Sequence, residues 1–264
     1  MNYTFYKYQG AGNDFIIIDN RDNSFNTKDN NRIQLLCDRK FGIGADGLIL
    51  LENSDKYDFK MLYFNADGNE STMCGNGGRC IVAFAKRMNI IQDKTIFEAI
   101  DGIHHAEMIR DLVNLQMINV NFILENKDSF FLNTGSPHHV IFQDNIENLN
   151  VKEEGSKIRY SKTYKKDGGT NVNFVEQVDQ NIFKVRTYER GVEDETLACG
   201  TGVTAVAIAA YQANITKSKH IFIHTEGGML EVSFKKDEFE YNKVFLKGPA
   251  TFVFKGDFDD ELNR

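Results

Sequence analysis

Apolar positions along this chain form two kinds of run. Short runs bounded by glycine, asparagine and aspartate predict strands: Phe15-Ile16-Ile17-Ile18, Leu48-Ile49-Leu50-Leu51, Phe59-Lys60-Met61-Leu62-Tyr63-Phe64, Thr95-Ile96-Phe97-Glu98-Ala99, and two stretches near 104–108 and 112–120. Residues 3–8 alternate aromatic and polar side chains, which predicts an edge strand, and residues 29–39 carry a helical period through Ile33, Leu36 and Cys37. Two further runs are rich in alanine and apolar on nearly every side: Ile81 to Ala85 and Val203 to Ala210. Those predict buried helices. Each is followed by an asparagine and an isoleucine, Asn89-Ile90 and Asn214-Ile215, and asparagine tolerates the left-handed turn that closes a helix.

The two helical runs belong to a larger repeat. Glu70-Ser71-Thr72-Met73-Cys74-Gly75-Asn76-Gly77 precedes the first, and Glu195-Thr196-Leu197-Ala198-Cys199-Gly200-Thr201-Gly202 precedes the second, 125 residues on. At the same offset Gly135 matches Gly10, Ile141 matches Ile16, Tyr188 matches Tyr63, and Lys219, Ile221, Phe222 and Gly227 match Lys94, Ile96, Phe97 and Gly102. A strand-rich unit with one central helix is therefore duplicated, with a period too long for a solenoid. The segment from Lys152 to Lys166 is charged and aperiodic and reads as a solvated surface excursion. Thr251-Phe252-Val253-Phe254 begins a last strand.

Composition narrows the class. A length of 264 residues suits two domains of that period, and 41% hydrophobic residues suffice for packed cores. A net charge of −7 argues against a nucleic-acid partner. No signal peptide and no membrane span are legible, and four cysteines are too few for a disulfide framework, so a reducing cytoplasm is expected. His104-His105 and His138-His139 lack zinc-ligand spacing, and there is no Walker loop and no Gly-x-Ser-x-Gly. Neither a metal nor a cofactor is expected. Gly10-Ala11-Gly12-Asn13-Asp14 lacks a third glycine and leads into a strand; it reads equally as a hairpin turn and as a seat for a ligand-binding asparagine.

Chemistry enters with the repeated cysteine. A thiol at a helix N-terminus meets unpaired N–H groups and the positive end of the helix dipole, which favour anions and depress a thiol pKa. Two such thiols in duplicated halves fit a reaction of matching symmetry, with one removing a proton from one face of a carbon and the other delivering one to the opposite face. That is stereoinversion at an amino acid α-carbon, and preorganised donors on the carboxylate can stabilise the carbanion. Tyr188-Glu189-Arg190-Gly191, just before the second motif, offers a guanidinium fork for a further carboxylate.

Asn65-Ala66-Asp67-Gly68 leading to Cys74-Gly75-Asn76-Gly77, Gly10-x-Gly12-Asn13-Asp14-Phe15, and Tyr188-Glu189-Arg190-Gly191 followed by Ala198-Cys199-Gly200-Thr201-Gly202 closely resemble the diaminopimelate epimerase family, from about Phe5 to Phe254. The resemblance implies an α/β (α+β) fold of two pseudo-symmetric lobes, each a curved sheet around a central helix, with the site in the cleft. The lobes expected are 1–120, with 251–264 returning to it, and 121–250. It implies conversion of LL-2,6-diaminopimelate to the meso form without pyridoxal phosphate, in lysine and peptidoglycan synthesis, by a cytoplasmic homodimer. By matching motif, Cys74 and Cys199 are the acid–base pair. Asn13, Asn65, Gly75, Asn76, Ser136, Asn171, Glu189, Arg190, Gly200 and Thr201 bind substrate, with Arg190 on the distal carboxylate, and His138 and Glu189 tune the thiols. Three departures stand out: Ser136 replaces an asparagine, Gly47 replaces a glutamine contact, and Gly191-Val192-Glu193-Asp194-Glu195 is one residue longer than the commoner spacing. Two alternatives remain at this point, a proline racemase-type enzyme and a thiol redox or diamino-acid-binding protein.

Overall fold

The computed structural model describes residues 2–259. It is a mixed α/β structure dominated by strands, with four α-helices among the described residues: α1 (Asn30–Cys37), α2 (Gly75–Arg87), α3 (Val151–Arg159) and α4 (Gly200–Gln212). The described residues fall into two compact units, 2–115 with 248–259, and 116–247.

In the first unit Asn2–Gly10 forms a hairpin with Asn13–Asp19, turning through Ala11 and Gly12, both at positive φ. Thr251–Asp259 pairs along its other side, Phe5 facing Gly256. The first strand is therefore interior, where alternation along residues 3–8 had suggested an edge. The strand that covers it lies some 250 positions away in sequence, beyond the reach of any local pattern. Asn13–Asp19 then runs parallel to Gly47–Glu52, with α1 in the connection, and Phe59–Asn65 returns antiparallel. Lys94–Ala99 pairs parallel to Phe59–Asn65 after α2, and Gly102–Ile109 and Leu112–Gln116 complete the meander.

The second unit repeats that plan. Pro137–Phe142 runs parallel to Asn171–Asp179 across α3, Ile182–Glu189 returns antiparallel, and His220–Thr225 pairs parallel to it after α4. Gly228–Lys236 and Tyr241–Pro249 follow antiparallel.

Each unit is built on one buried helix. In α2, Cys80, Ile81, Val82, Phe84 and Ala85 are fully inaccessible, as are Ala205 to Ala210 in α4. Burying a large apolar side chain contributes about 1.5–3 kcal/mol, so these faces anchor their sheets. Both helices start on their cysteine as N-cap and end alike. Asn89 and Asn214 adopt φ of 55° and 57°, and the following isoleucine N–H closes on a carbonyl five residues back, Ile90 on Ala85 (3.0 Å) and Ile215 on Ala210 (3.1 Å).

The charged segment after Lys152 lies largely at the surface, as its composition suggests, but much of it is helical. Residues 151–159 form α3, capped by Asn150, whose side chain accepts the Glu153 N–H at 3.2 Å. Lys157 bridges to Glu153 across one turn. Only Val151 and Gly155 on this helix are buried, a stripe too narrow to show as a hydrophobic period. No helix among the described residues is long and apolar enough to cross a membrane.

Candidate active site

In the first unit Cys74 holds an extended conformation (φ −95°, ψ 144°), and its Sγ accepts the Gly77 N–H at 3.1 Å. The helix opens on Gly75, which places no side chain of its own beside the helix start. Asn76, 2% exposed, sits between two partners. Its Oδ1 accepts from Arg79 Nη2 at 3.0 Å, and its Nδ2 donates to Asn13 Oδ1. Asn13 Nδ2 donates in turn to Asp46 Oδ2 at 3.0 Å. A guanidinium can only donate and a carboxylate only accept, so this row fixes the orientation of both amides. Arg39 forks onto Asp14 and reaches Asp46, and Lys7 lies 2.8 Å from Asp14. Burial pushes the Asp14 carboxyl up, but hydrogen bonds from Arg39 and Lys7 overcome it and hold the group at about 2. The Gly10–Asp14 segment is a hairpin turn, and Asn13 at its end is hydrogen-bonded to Asn76 and Asp46. Asn65 ends the strand Phe59–Asn65 and closes the following turn, its carbonyl accepting the Gly68 N–H at 2.9 Å.

Arg79 was not legible as part of this site. It is wholly inaccessible; its Nη1 donates to Gly75 O (3.1 Å) and its Nε to Pro249 O (3.3 Å). Burial lowers its pKa to about 10, so it stays charged at neutral pH beside the helix start. The available signal was a lone arginine in a buried run, three residues after Asn76. Cys80 and Cys37 are chemically quiet, because burial drives both thiols well above their ordinary range, Cys37 to about 12.

In the second unit Cys199 starts α4 and Thr201 sits beside it, with Sγ and Oγ1 3.4 Å apart. Thr201 Oγ1 also lies 2.9 Å from His138 Nε2. His138 Nδ1 faces Asn173 Nδ2 at 3.1 Å. The Asn173 amide is oriented without ambiguity: its Nδ2 donates to the His139 carbonyl at 3.1 Å, and its Oδ1 accepts from Thr187 at 3.1 Å. His138 Nδ1 is therefore the acceptor, Nε2–H donates to Thr201, and the threonine hydroxyl is left to donate to the Cys199 sulfur. Such a donor stabilises a thiolate. Gly202 permits this close approach, since a methyl group there would stand 2.6 Å from Asn173 Oδ1. Asn173 is the second residue missed in the sequence, although it shares a strand face with Asn171 two positions earlier.

Asn171 Nδ2 donates to Ser136 Oγ and to Pro137 O, both at 2.9 Å, and its Oδ1 accepts the Arg190 N–H at 2.8 Å. Ser136 is thus hydrogen-bonded to Asn171 through its hydroxyl. Glu189 ends the strand Ile182–Glu189, and Arg190 follows it, exposed. The structure thus brings Asn13, Asn76 and Cys74 together in one unit, and Ser136, His138, Asn171, Cys199 and Thr201 with Arg190 in the other.

His138 is fully buried, and burial, joined by the charge of Arg190, lowers its pKa to about 3. The imidazole is neutral at physiological pH. Its folded pKa lies below the unfolded value, so the unfolded chain binds more protons between the two. Stability is complete above about 6.5 and drains as pH falls towards 3. Between pH 7 and pH 5 we expect a loss of roughly 2 kcal/mol through this residue. His138→Gln should remove that share of the slope, leaving the share from His139, which burial lowers to about 4. Urea denaturation at the two pH values measures it; equal slopes in both proteins would contradict the assignment.

A fold of two units, each opening a buried helix on a cysteine, has relatives among solved structures. It superimposes on a phenazine biosynthesis protein of the PhzF family from Bacillus anthracis with a TM-score of 0.78 at 13% identity, covering 98% of this chain and 99% of that one. A hydroxyproline epimerase from Agrobacterium vitis gives 0.65 at 11% identity, covering 97% and 92%. Sequence relatives are nearer. A diaminopimelate epimerase from Flavobacterium psychrophilum is 59% identical over 95% of this chain and 98% of its own length. One from Aquifex aeolicus is 39% identical, with 98% of each chain covered. Fold and relatives together define an isomerase of the racemase and epimerase class. The profile of the family "Diaminopimelate epimerase" matches residues 5–127 and 130–253, and the chain belongs to that family.

Proposed function

We propose that the chain converts LL-2,6-diaminopimelate to the meso form, with Cys74 and Cys199 as the acid–base pair. The observation that carries this reading is the duplicated one: each unit starts a buried, glycine-opened helix on a cysteine set in a polar network. One thiolate takes the α-hydrogen as a proton, and the electron pair left on carbon spreads into the carboxylate. The other thiol gives its proton to the opposite face, so one thiolate is neutralised as the other forms. Helix-start N–H groups at Gly75-Asn76 and Gly200-Thr201 stabilise the charge developing on the carboxylate.

Asn13, Asn65, Asn76, Ser136, Asn171 and Glu189 bind the polar groups of the substrate in this reading, and His138 and Glu189 tune the thiols. Arg190 takes the distal carboxylate. Among the described residues its guanidinium has no hydrogen-bond or ion-pair partner, which suits a group kept for ligand. The reaction needs neither pyridoxal phosphate nor metal, and the enzyme works as a cytoplasmic homodimer in lysine and peptidoglycan precursor synthesis. Incubation with LL-diaminopimelate in heavy water is expected to give meso product carrying deuterium at the inverted α-carbon. Ligand retention without α-proton exchange would replace this reading with a binding protein.

A further inference from the structure

We propose that Glu193 is a positioning residue that holds Arg190 in place for the distal carboxylate; the inference rests on the role given to Arg190 above. Glu193 carries φ of 59°, a conformation that long side chains rarely adopt. Both its carboxylate oxygens are fully engaged. Oε1 accepts from Arg159 Nη2 (2.7 Å), Arg159 Nε (3.0 Å) and the Gly191 N–H (3.0 Å). Oε2 accepts from Tyr160 (2.7 Å) and Tyr188 (2.9 Å).

These bonds converge on the surroundings of Arg190. The Glu193 N–H closes on Glu189 O at 2.8 Å, and the Gly191 N–H closes on the Glu193 side chain, so Arg190 lies inside a turn locked from both ends. The same Arg159 that binds Glu193 donates Nη1 to Gly168 O at 2.7 Å. Gly168 flanks the Arg190 guanidinium; a methyl group built on it would lie 4.0 Å from Nη1. Its neighbour Gly169, at φ of 84°, admits Arg159, because a methyl group there would overlap Nη1 at 1.6 Å. One carboxylate thus ties the turn that carries Arg190 to the loop that borders its head group. Hydrogen bonds from Arg159, ahead of all other influences, hold the Glu193 carboxyl at about 2, so the clamp stays ionised at any ordinary assay pH.

The test is steady-state kinetics on Glu193→Gln, Tyr160→Phe, Arg190→Ala and the Arg190→Ala/Glu193→Gln double variant, each checked for folding by circular dichroism. Glutamine keeps the shape but turns a donor towards Arg159. Glu193→Gln is expected to raise KM for diaminopimelate about tenfold with kcat changed less than about threefold. Tyr160→Phe, which deletes one hydroxyl from an exposed ring, should raise KM about twofold. In the Arg190→Ala background the Glu193 change should add less than about twofold, since both act through one guanidinium. Wild-type KM in folded Glu193→Gln, or its full effect persisting without Arg190, overturns the proposal. If Glu193→Gln does not fold, an unchanged KM in Tyr160→Phe overturns it instead. Arg190→Ala with wild-type KM is a separate signal: it removes the role given to Arg190, and the clamp proposal falls with it.

Discussion

Cys74→Ser and Cys199→Ser are each expected to lose about 10⁴-fold in turnover, equivalent to ~5.5 kcal/mol of transition-state stabilisation, while remaining folded. Serine separates chemistry from structure at these positions. Cys74 caps α2 by accepting the Gly77 N–H, and a hydroxyl is among the better N-caps, so the helix start should be kept or slightly strengthened. What serine cannot supply is an anion at neutral pH, because its hydroxyl is far less acidic than a thiol. At Cys199 the Thr201 hydroxyl still has an acceptor, so the His138–Thr201 row survives the change. Circular dichroism and thermal melting confirm the fold, and coupled-assay turnover reads the chemistry. A folded variant keeping a tenth or so of wild-type turnover would end the two-thiol mechanism.

Arg190→Lys is expected to lower kcat/KM about fiftyfold, or ~2.3 kcal/mol, the range of a charge-assisted hydrogen bond forfeited with its geometry. The change keeps the charge and removes the planar fork, so it tests bidentate recognition directly. Binding energy from a remote carboxylate can be used to orient the reacting centre, and kcat should fall along with affinity. Arg190 is exposed, so its replacement leaves the packed units untouched. Wild-type kcat/KM in this variant would return the residue to an ordinary surface charge.

Some of this protein was written in its sequence. The two buried helices, their cysteine starts and their asparagine ends follow from composition over a dozen contiguous residues, because caps and helical periods are local properties. The duplication was legible for a similar reason, since a fixed offset requires no knowledge of packing. The motif residues around Cys74 and Cys199 stood out because their spacing is itself the signal.

The rest depended on which strands pair. Asn2–Gly10 became an interior strand only because a segment from the far end of the chain covers it. Asn173 entered the site because parallel pairing of Pro137–Phe142 with Asn171–Asp179 sets its amide against His138, and one strand alone does not state its neighbour's register. Arg79 finds two acceptors within its own helix start, Gly75 O and Asn76 Oδ1, but the third, Pro249 O, comes from a segment 170 positions away. The stretch from Lys152 to Lys166, discounted for its charge, supplies Arg159 and Tyr160 to the loop that carries Arg190. Hydrogen bonds between residues tens of positions apart are selected by closure of the chain and by the cost of leaving a buried polar group unpaired. Neither leaves a local pattern, so these contacts were decided by tertiary structure alone.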